Sequence, residues 1–120
     1  MTYKLFLDDF RSPKDVPVLK QIAQPNEWVI VRSHDEAVEC ILNNGMPDFI
    51  SFDHDLNDDH YAYPNKTHEK TGMTFAKWFI DWIIDNEIVV PDHFNYYVHS
   101  MNPHGAANIR SIMASFMRTI

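Results

Sequence analysis

Short apolar runs alternate with amphipathic stretches along the whole chain. Residues 3–7 form an apolar run closed by the carboxylates Asp8 and Asp9, and residues 28–31 are aromatic and β-branched. Both read as strands, because such side chains suit a pleated, packed surface. Residues 48–52 and 94–98 repeat the form, each running into a polar cluster. Four strands are predicted.

Between them the apolar period lengthens to that of a helix. Ser33 and Glu36 make an S-x-x-E capping box, and Ala37, Val38, Ile41 and Leu42 share one face until Gly45 stops the helix. Over residues 72–86, Ala76, Phe79, Ile80 and Ile83 form a stripe opposite Lys77, Asp81 and Asp85, the pattern of a helix covering a sheet. In the last segment Asn102 is a good N-cap, Pro103 suits the first helical position, and Ala106, Ile109, Met113, Phe116 and Ile120 recur at helical spacing. Between residues 13 and 23, Pro13 and Pro17 leave room for a short, weak helix. Strands joined by helical crossovers imply an α/β fold: a doubly wound, mainly parallel four-stranded sheet with helices on both faces and right-handed connections. Residues 54–70 break the rhythm; they are polar, carry Tyr61, Tyr63, Lys66 and Lys70, and show no period. Long connections of that kind commonly carry function, and the two tyrosines are candidates to stack on a base.

Composition narrows the class. A chain of 120 residues, 45% hydrophobic and 13% aromatic, has the makings of one packed domain spanning 1–120 and not of a disordered segment. Seventeen acidic against ten basic side chains give a net charge of -7, which repels a phosphate backbone, so extended binding to duplex DNA is not expected. The apolar stretch around residues 78–84 is interrupted by Asp81 and is too short to cross a bilayer, and the start carries no signal-peptide core. The lone Cys40 cannot make an internal disulfide and sits in a helical pattern, as a packing residue would. A cytoplasmic setting is expected.

In an open α/β sheet, ligands bind beyond the carboxyl ends of the strands. There the first strand supplies Asp8 and Asp9, the third Asp53, His54 and Asp55, and the fourth His99 and Ser100. Any one of these acids is explained by a turn or a cap. Acids arriving from two strands at one edge repel one another unless they share a hard divalent cation, so Asp8, Asp9 and Asp53, with Asp55 as a further candidate, are expected to bind Mg²⁺ or Mn²⁺. An EF-hand counted from Asp53 fails, because its glycine position is Asp58 and its bidentate position Pro64. Zinc chemistry lacks H-E-x-x-H and a second cysteine; His34, His60, His68 and His93 read as surface residues. Three glycines make neither a dinucleotide fingerprint nor a P-loop. Phosphate remains an attractive ligand, because the last helix opens at Asn102, Pro103, His104 and Gly105 directly after Ser100, aiming free N–H groups at the acids. Thr71-Gly72 opens another helix and offers either a second such site or a plain cap.

The segments Leu7-Asp8-Asp9-x-Arg11-x-Pro13, Ser51-x-Asp53-His54-Asp55-Leu56, Thr71-Gly72 and Val98-His99-Ser100-x-Asn102-Pro103-x-Gly105 run in order across nearly the whole chain. In them the chain resembles the cyclic-phosphate-processing receiver domain family, a branch of the receiver-like, flavodoxin-like domains. Phe10 stands where that family commonly has an acid, and Asn57 where it has glycine. Ordinary phosphoacceptor receivers are similar in Asp8-Asp9, in Pro47-Asp48 leading to Asp53, and in the hydroxyl of Ser100; by that likeness Asp53 would accept a phosphoryl group. Their lysine at the end of a fifth strand has no counterpart, since the last lysine here is Lys77.

The resemblance implies processing of cyclic phosphates on nucleotides or RNA ends. The leading expectation is a metal-dependent phosphoesterase in which Asp8, Asp9 and Asp53 hold the cation. His99 or His54 would move the proton, because histidine takes both protonation states near neutrality. Arg11 would clamp phosphate or else make an exposed salt bridge, and Ser100 and Asn102, with Gly105 beside them, would orient phosphate oxygens or else cap the helix. A signalling receiver and a non-catalytic nucleotide binder are the competing classes. Trp28, Trp78 and Trp82 are expected in the core.

Overall fold

The computed structural model of the chain describes residues 2–56 and 70–120. Asn57, His60, Tyr61, Tyr63, Lys66 and His68 lie outside the described residues, and so does the expectation that tyrosines of this segment stack on a base. The strands are β1 (Lys4–Leu7), β2 (Trp28–Val31), β3 (Phe49–Phe52) and β4 (Asn95–Val98), and the helices are α1 (His34–Asn44), α2 (Gly72–Asp85) and α3 (Pro103–Met117). The sheet order is β2-β1-β3-β4 and every neighbouring pair is parallel.

Register decides what each face of the sheet presents. Leu5 pairs with Val29 and Ile50, and Leu7 with Val31 and Phe52. Alternation sends that set to one face, where all but the exposed Val29 meet Ala37 and Ile41 of α1, Phe75, Ala76 and Phe79 of α2, and Ile109 and Met113 of α3. Helix α2 packs between α1 and α3, so all three cover the same face. Truncating one of the fully buried phenylalanines there, such as Phe75 or Phe79, to alanine costs about 3–5 kcal/mol.

The opposite face is covered too, by 3₁₀ helices where the sequence predicts a short, weak helix. Phe6, Trp28 and Phe49 pack there against Val16 and Leu19, which belong to a crossover built from 3₁₀ turns at Pro13–Asp15, Pro17–Gln21 and Pro25–Glu27. Each proline removes a backbone donor and blocks a continuous helix, so the segment proceeds by short i→i+3 turns. Winding is still double: the first crossover lies on one face and the two later ones on the other.

Local signals worked with small displacements. Ser33 Oγ accepts from Glu36 N at 3.1 Å, but the Glu36 carboxylate takes the N–H of Arg32 at 2.9 Å, one residue upstream of the box position. Gly45 ends α1 at φ 84°, a conformation that favours glycine. Helix α3 stops at Met117, leaving Ile120 of the predicted stripe 60% exposed. Cys40 is buried on α1. Trp28 is buried, and Trp78 and Trp82 lie partly buried against the larger core. His93 is exposed, but His34, expected at the surface, is buried. At the start of α1 its ring lies edge-on to Phe75, with centroids 6.3 Å apart, and its Nδ1 is 2.9 Å from Asp35. Among the described residues no helix is long and apolar enough to cross a membrane.

Candidate functional site

The chain passes from β1 to β2 on one side and to β3 on the other, so the strand order reverses between β1 and β3. The crevice of an open α/β sheet opens at the carboxyl ends of such a pair. Asp8 follows β1, Asp53 follows β3 and His99 follows β4. Each is held by one further rung of the ladder: Asp8 N to Val31 O at 3.1 Å, Asp53 N to Leu7 O at 3.0 Å, and His99 N to Phe52 O at 2.9 Å. The site therefore stands on the rigid sheet.

Asp8 is fully buried and heavily satisfied. Its Oδ1 accepts from the N–H groups of Phe10 (3.0 Å) and Arg11 (2.9 Å), and its Oδ2 accepts from Arg11 Nε (2.8 Å) and lies 3.0 Å from His99 Nε2. Burial works to raise its carboxyl, but the hydrogen bonds from His99, Phe10 and Arg11 and the charge of Arg11 outweigh it, so the group stays well below the usual carboxylate range.

Asp53 shows the reverse balance. Burial, with the charge of Asp8 next in weight and that of Asp9 adding to it, pushes its carboxyl up to about 6 despite Arg11 and the His54 N–H. Oδ1 accepts from His54 N at 2.9 Å and lies 3.7 Å from Arg11 Nη2. Among the described residues no donor lies on Oδ2. Arg11 Nη2 also donates to the His99 carbonyl at 3.3 Å, so one guanidinium ties together the ends of three strands.

The ring of His99 stacks on Phe6, with centroids 4.5 Å apart and planes 6° from parallel, and its Nδ1 lies 2.7 Å from Ser51 Oγ. Its side chain is 1% exposed. Burial lowers its pKa, with Asp8 opposing, which favours the neutral ring. Asp8, Asp53 and His99 offer donor atoms all within 4.8 Å of one another. Asp9 and Asp55 stand outside that trio.

Asp55 belongs instead to an exposed arrangement at the start of α3. Its Oδ1 lies 2.7 Å from His54 Nδ1, and its two oxygens accept from Asn102 Nδ2 at 3.2 and 3.4 Å. Asn102 also caps α3, its Oδ1 accepting from Gly105 N at 3.0 Å, while Ser100 Oγ accepts from Asn102 N at 3.1 Å. The expected free N–H of Gly105 is thus occupied by the cap. The glycine serves the site by its smallness: a Cβ there would fall 2.2 Å from His54 Cγ. Gly72 lies likewise against Asp53, where a Cβ would fall 1.8 Å from the carbonyl oxygen, and its N–H donates to His54 O at 2.8 Å. Thr71 Oγ1 takes the next two N–H groups of α2, which makes Thr71-Gly72 a cap.

Two residues of the site were given no role from sequence. Arg32, directly after β2, donates through Nη1 to the carbonyls of Asp8 (3.3 Å) and Arg11, fixing the loop that carries the acids. Its signal was a cation at the same strand edge as Asp8 and Asp9. Ser51 is fully buried in β3 between apolar neighbours, and its signal was that mismatch, since a buried hydroxyl needs a partner.

Fold and site together define a receiver-like α/β domain with acids at its topological switch point. Residues 3–115 match the family model described as "Cyclic-phosphate processing Receiver domain". The chain belongs to that family. No curated protein matches its sequence. One solved structure, a yeast Spc42 trimeric coiled-coil segment (amino acids 181–211) fused to another structure, aligns with 99% of this chain and 76% of its own at 14% identity and a TM-score of 0.47, a likeness too slight to bear on fold or function.

Proposed function

We propose that this domain is a metal-dependent phosphoesterase acting on cyclic phosphate or related phosphodiester groups of nucleotides or RNA ends. The observation that carries the reading is the meeting of Asp8, Asp53, His99 and Arg11 at the switch point, with surplus negative charge left on Asp53. Membership of a cyclic-phosphate processing family supports the substrate class.

The donor set suits a hard divalent cation, Mg²⁺ or Mn²⁺, because carboxylate oxygens are its preferred ligands and Asp53 carries charge that a cation would relieve. Asp53 through Oδ2 and the neighbouring Asp9 would hold it, with Asp8 behind them. Such an ion, when bound, polarises a phosphoryl oxygen and acidifies water. Arg11 lies where it would pair a phosphate oxygen. Of the two histidines, His54 suits proton transfer: Asp55 orients its Nδ1 and its side chain is 18% exposed, whereas both nitrogens of His99 are engaged inside the protein.

Turnover of 2′,3′-cyclic nucleotides and of RNA ends bearing cyclic phosphate, with Mg²⁺ or Mn²⁺ and with chelator, tests the reading. Asp53→Asn and His54→Ala are expected to lose about 10²-fold or more in kcat, the usual scale for positioned acid–base and electrostatic groups. Equal rates in wild type and Asp53→Asn on every substrate would remove the assignment. A base-labile adduct on Asp53 after treatment with acetyl phosphate would favour the phosphoacceptor reading instead.

A further inference from the structure

We propose that Ser51 is a positioning residue of this site, acting through the ring of His99 on Asp8 and Arg11. The inference depends on the phosphoesterase reading for its rate measurement alone. Ser51 faces the side of the sheet away from the helices and is fully buried, in a strand whose other members are Phe49, Ile50 and Phe52. A hydroxyl in that place forgoes apolar packing and is tolerated when it is hydrogen-bonded.

Its partner is His99 Nδ1 at 2.7 Å, and the other ring nitrogen faces Asp8 Oδ2 at 3.0 Å. A neutral imidazole carries one N–H donor and one bare acceptor nitrogen. Asp8, held by two backbone N–H groups and Arg11 Nε, is an acceptor on both oxygens. Nε2 must therefore donate to Asp8, which leaves Nδ1 as an acceptor, and the Ser51 hydroxyl is the donor that meets it. Asp8 thus sets the tautomer, and the serine hydroxyl pairs the buried Nδ1 acceptor that remains and holds the ring in place. Stacking on Phe6 fixes the plane of the ring, so the donated hydrogen has one direction, toward the oxygen that also receives Arg11 Nε. Although Ser51, His99 and Asp8 are chemically a serine–histidine–aspartate set, the hydroxyl is sealed from solvent and attacks nothing. Without it the buried Nδ1 acceptor is left unpaired, and the ring loses the contact that fixes its distance from Asp8. Asp8 and Arg11 then lose their common register, and Arg11 loses its aim at Asp53.

The experiment combines ¹⁵N NMR of the histidine ring with a double-mutant cycle. Wild type and Ser51→Ala are both expected to show His99 as the Nε2–H tautomer, with the Nδ1 resonance moving to that of an unbonded acceptor nitrogen in Ser51→Ala alone. Ser51→Ala should lower kcat about 10- to 100-fold, the usual scale for partners that orient a functional group, with KM changed by less than about threefold. Glutamine at position 99 supplies an amide donor toward Asp8 and has no tautomer. Ser51→Ala should therefore cost nothing further in the His99→Gln background, while His99→Asn, whose amide is too short to reach Asp8, should lose activity like Ser51→Ala or worse. A wild-type ring in the Nδ1–H or doubly protonated form would overturn the proposal whether or not any variant folds. So would an equal cost of Ser51→Ala in both backgrounds. If wild type turns over no cyclic phosphate, the functional reading falls, and an Nδ1 resonance unchanged between wild type and Ser51→Ala would still overturn the role of Ser51.

Discussion

Gly105 lies against the ring of His54 so closely that a methyl group there would stand 2.2 Å from Cγ. Gly72 makes a tighter approach on the same segment, to the carbonyl oxygen of Asp53 at 1.8 Å from an added Cβ. Helices α2 and α3 thus grip the Asp53–His54 segment from two sides. The contacts differ in what can yield, since a ring can swing and a backbone carbonyl cannot. Gly72→Ala is expected to cost about 3 kcal/mol or more in urea unfolding and Gly105→Ala about 1 kcal/mol, with Gly105→Ala losing turnover out of proportion to its stability through displaced His54.

The raised carboxyl of Asp53 has a definite sign in stability. Its ordinary value is 3.8 and its folded value about 6, so the folded chain holds the proton more tightly than the unfolded one. That contribution is fully present below about pH 4 and is lost as the pH rises through 6. Asp53→Asn, which never ionises, should exceed wild type in stability by roughly 2–3 kcal/mol at pH 7.5. The gap should close as the pH falls from 6 to 4. Asp8 acts oppositely, since its depressed carboxyl contributes stability above the ordinary carboxylate range that is lost on acidification. Thermal melts of both proteins across this range check the prediction; parallel curves at all pH values would contradict it.

Arg11 shares its one positive charge between the two acids, at 2.8 Å from Asp8 and 3.7 Å from Asp53. Arg11→Ala leaves two buried carboxylates without their cation and should cost about 3 kcal/mol at neutral pH. Adding Asp53→Asn should recover part of that loss, because half of the unbalanced charge is then gone. Urea unfolding of the single and double variants measures the coupling, and strict additivity would show that Arg11 and Asp53 do not interact.

Much of this architecture was legible in the chain because its signals are local. The runs ending at Asp8, Asp53 and His99 marked strand ends, and Ser33, Gly45, Asn102 and Pro103 marked helix ends through caps that need no tertiary partner. The identity of the covering layer was not legible, since Pro13 and Pro17 fit a short helix or a 3₁₀ turn equally well until Val16 and Leu19 pack on Phe6. Within the site, the meeting of Asp8 and Asp53 followed from topology alone. Roles did not: that His99 is walled in by Phe6 and Ser51, while His54 remains partly open beside Asp55, depends on which face each residue takes beyond its strand. The N–H of Gly105 was assigned to phosphate because a sequence does not show that Asn102 Oδ1 already holds it.

Asn102 joins stability to the site, capping α3 through Oδ1 and holding Asp55 through Nδ2. Asn102→Ala should cost about 1 kcal/mol, the usual worth of a cap. Asn102→Asp keeps the acceptor and so keeps the cap, but places a second charge beside Asp55. Its expected signature is near-native stability with reduced turnover, measured by denaturation and steady-state kinetics side by side.

Titration calorimetry with Mg²⁺ and Mn²⁺ tests most directly the claim that the Asp53 edge holds a divalent cation. Wild type should bind one ion per chain at neutral pH, more weakly as Asp53 takes up its proton below pH 6, and Asp53→Asn should bind none. Equal binding by wild type and Asp53→Asn, or no binding by wild type at any pH, would contradict it.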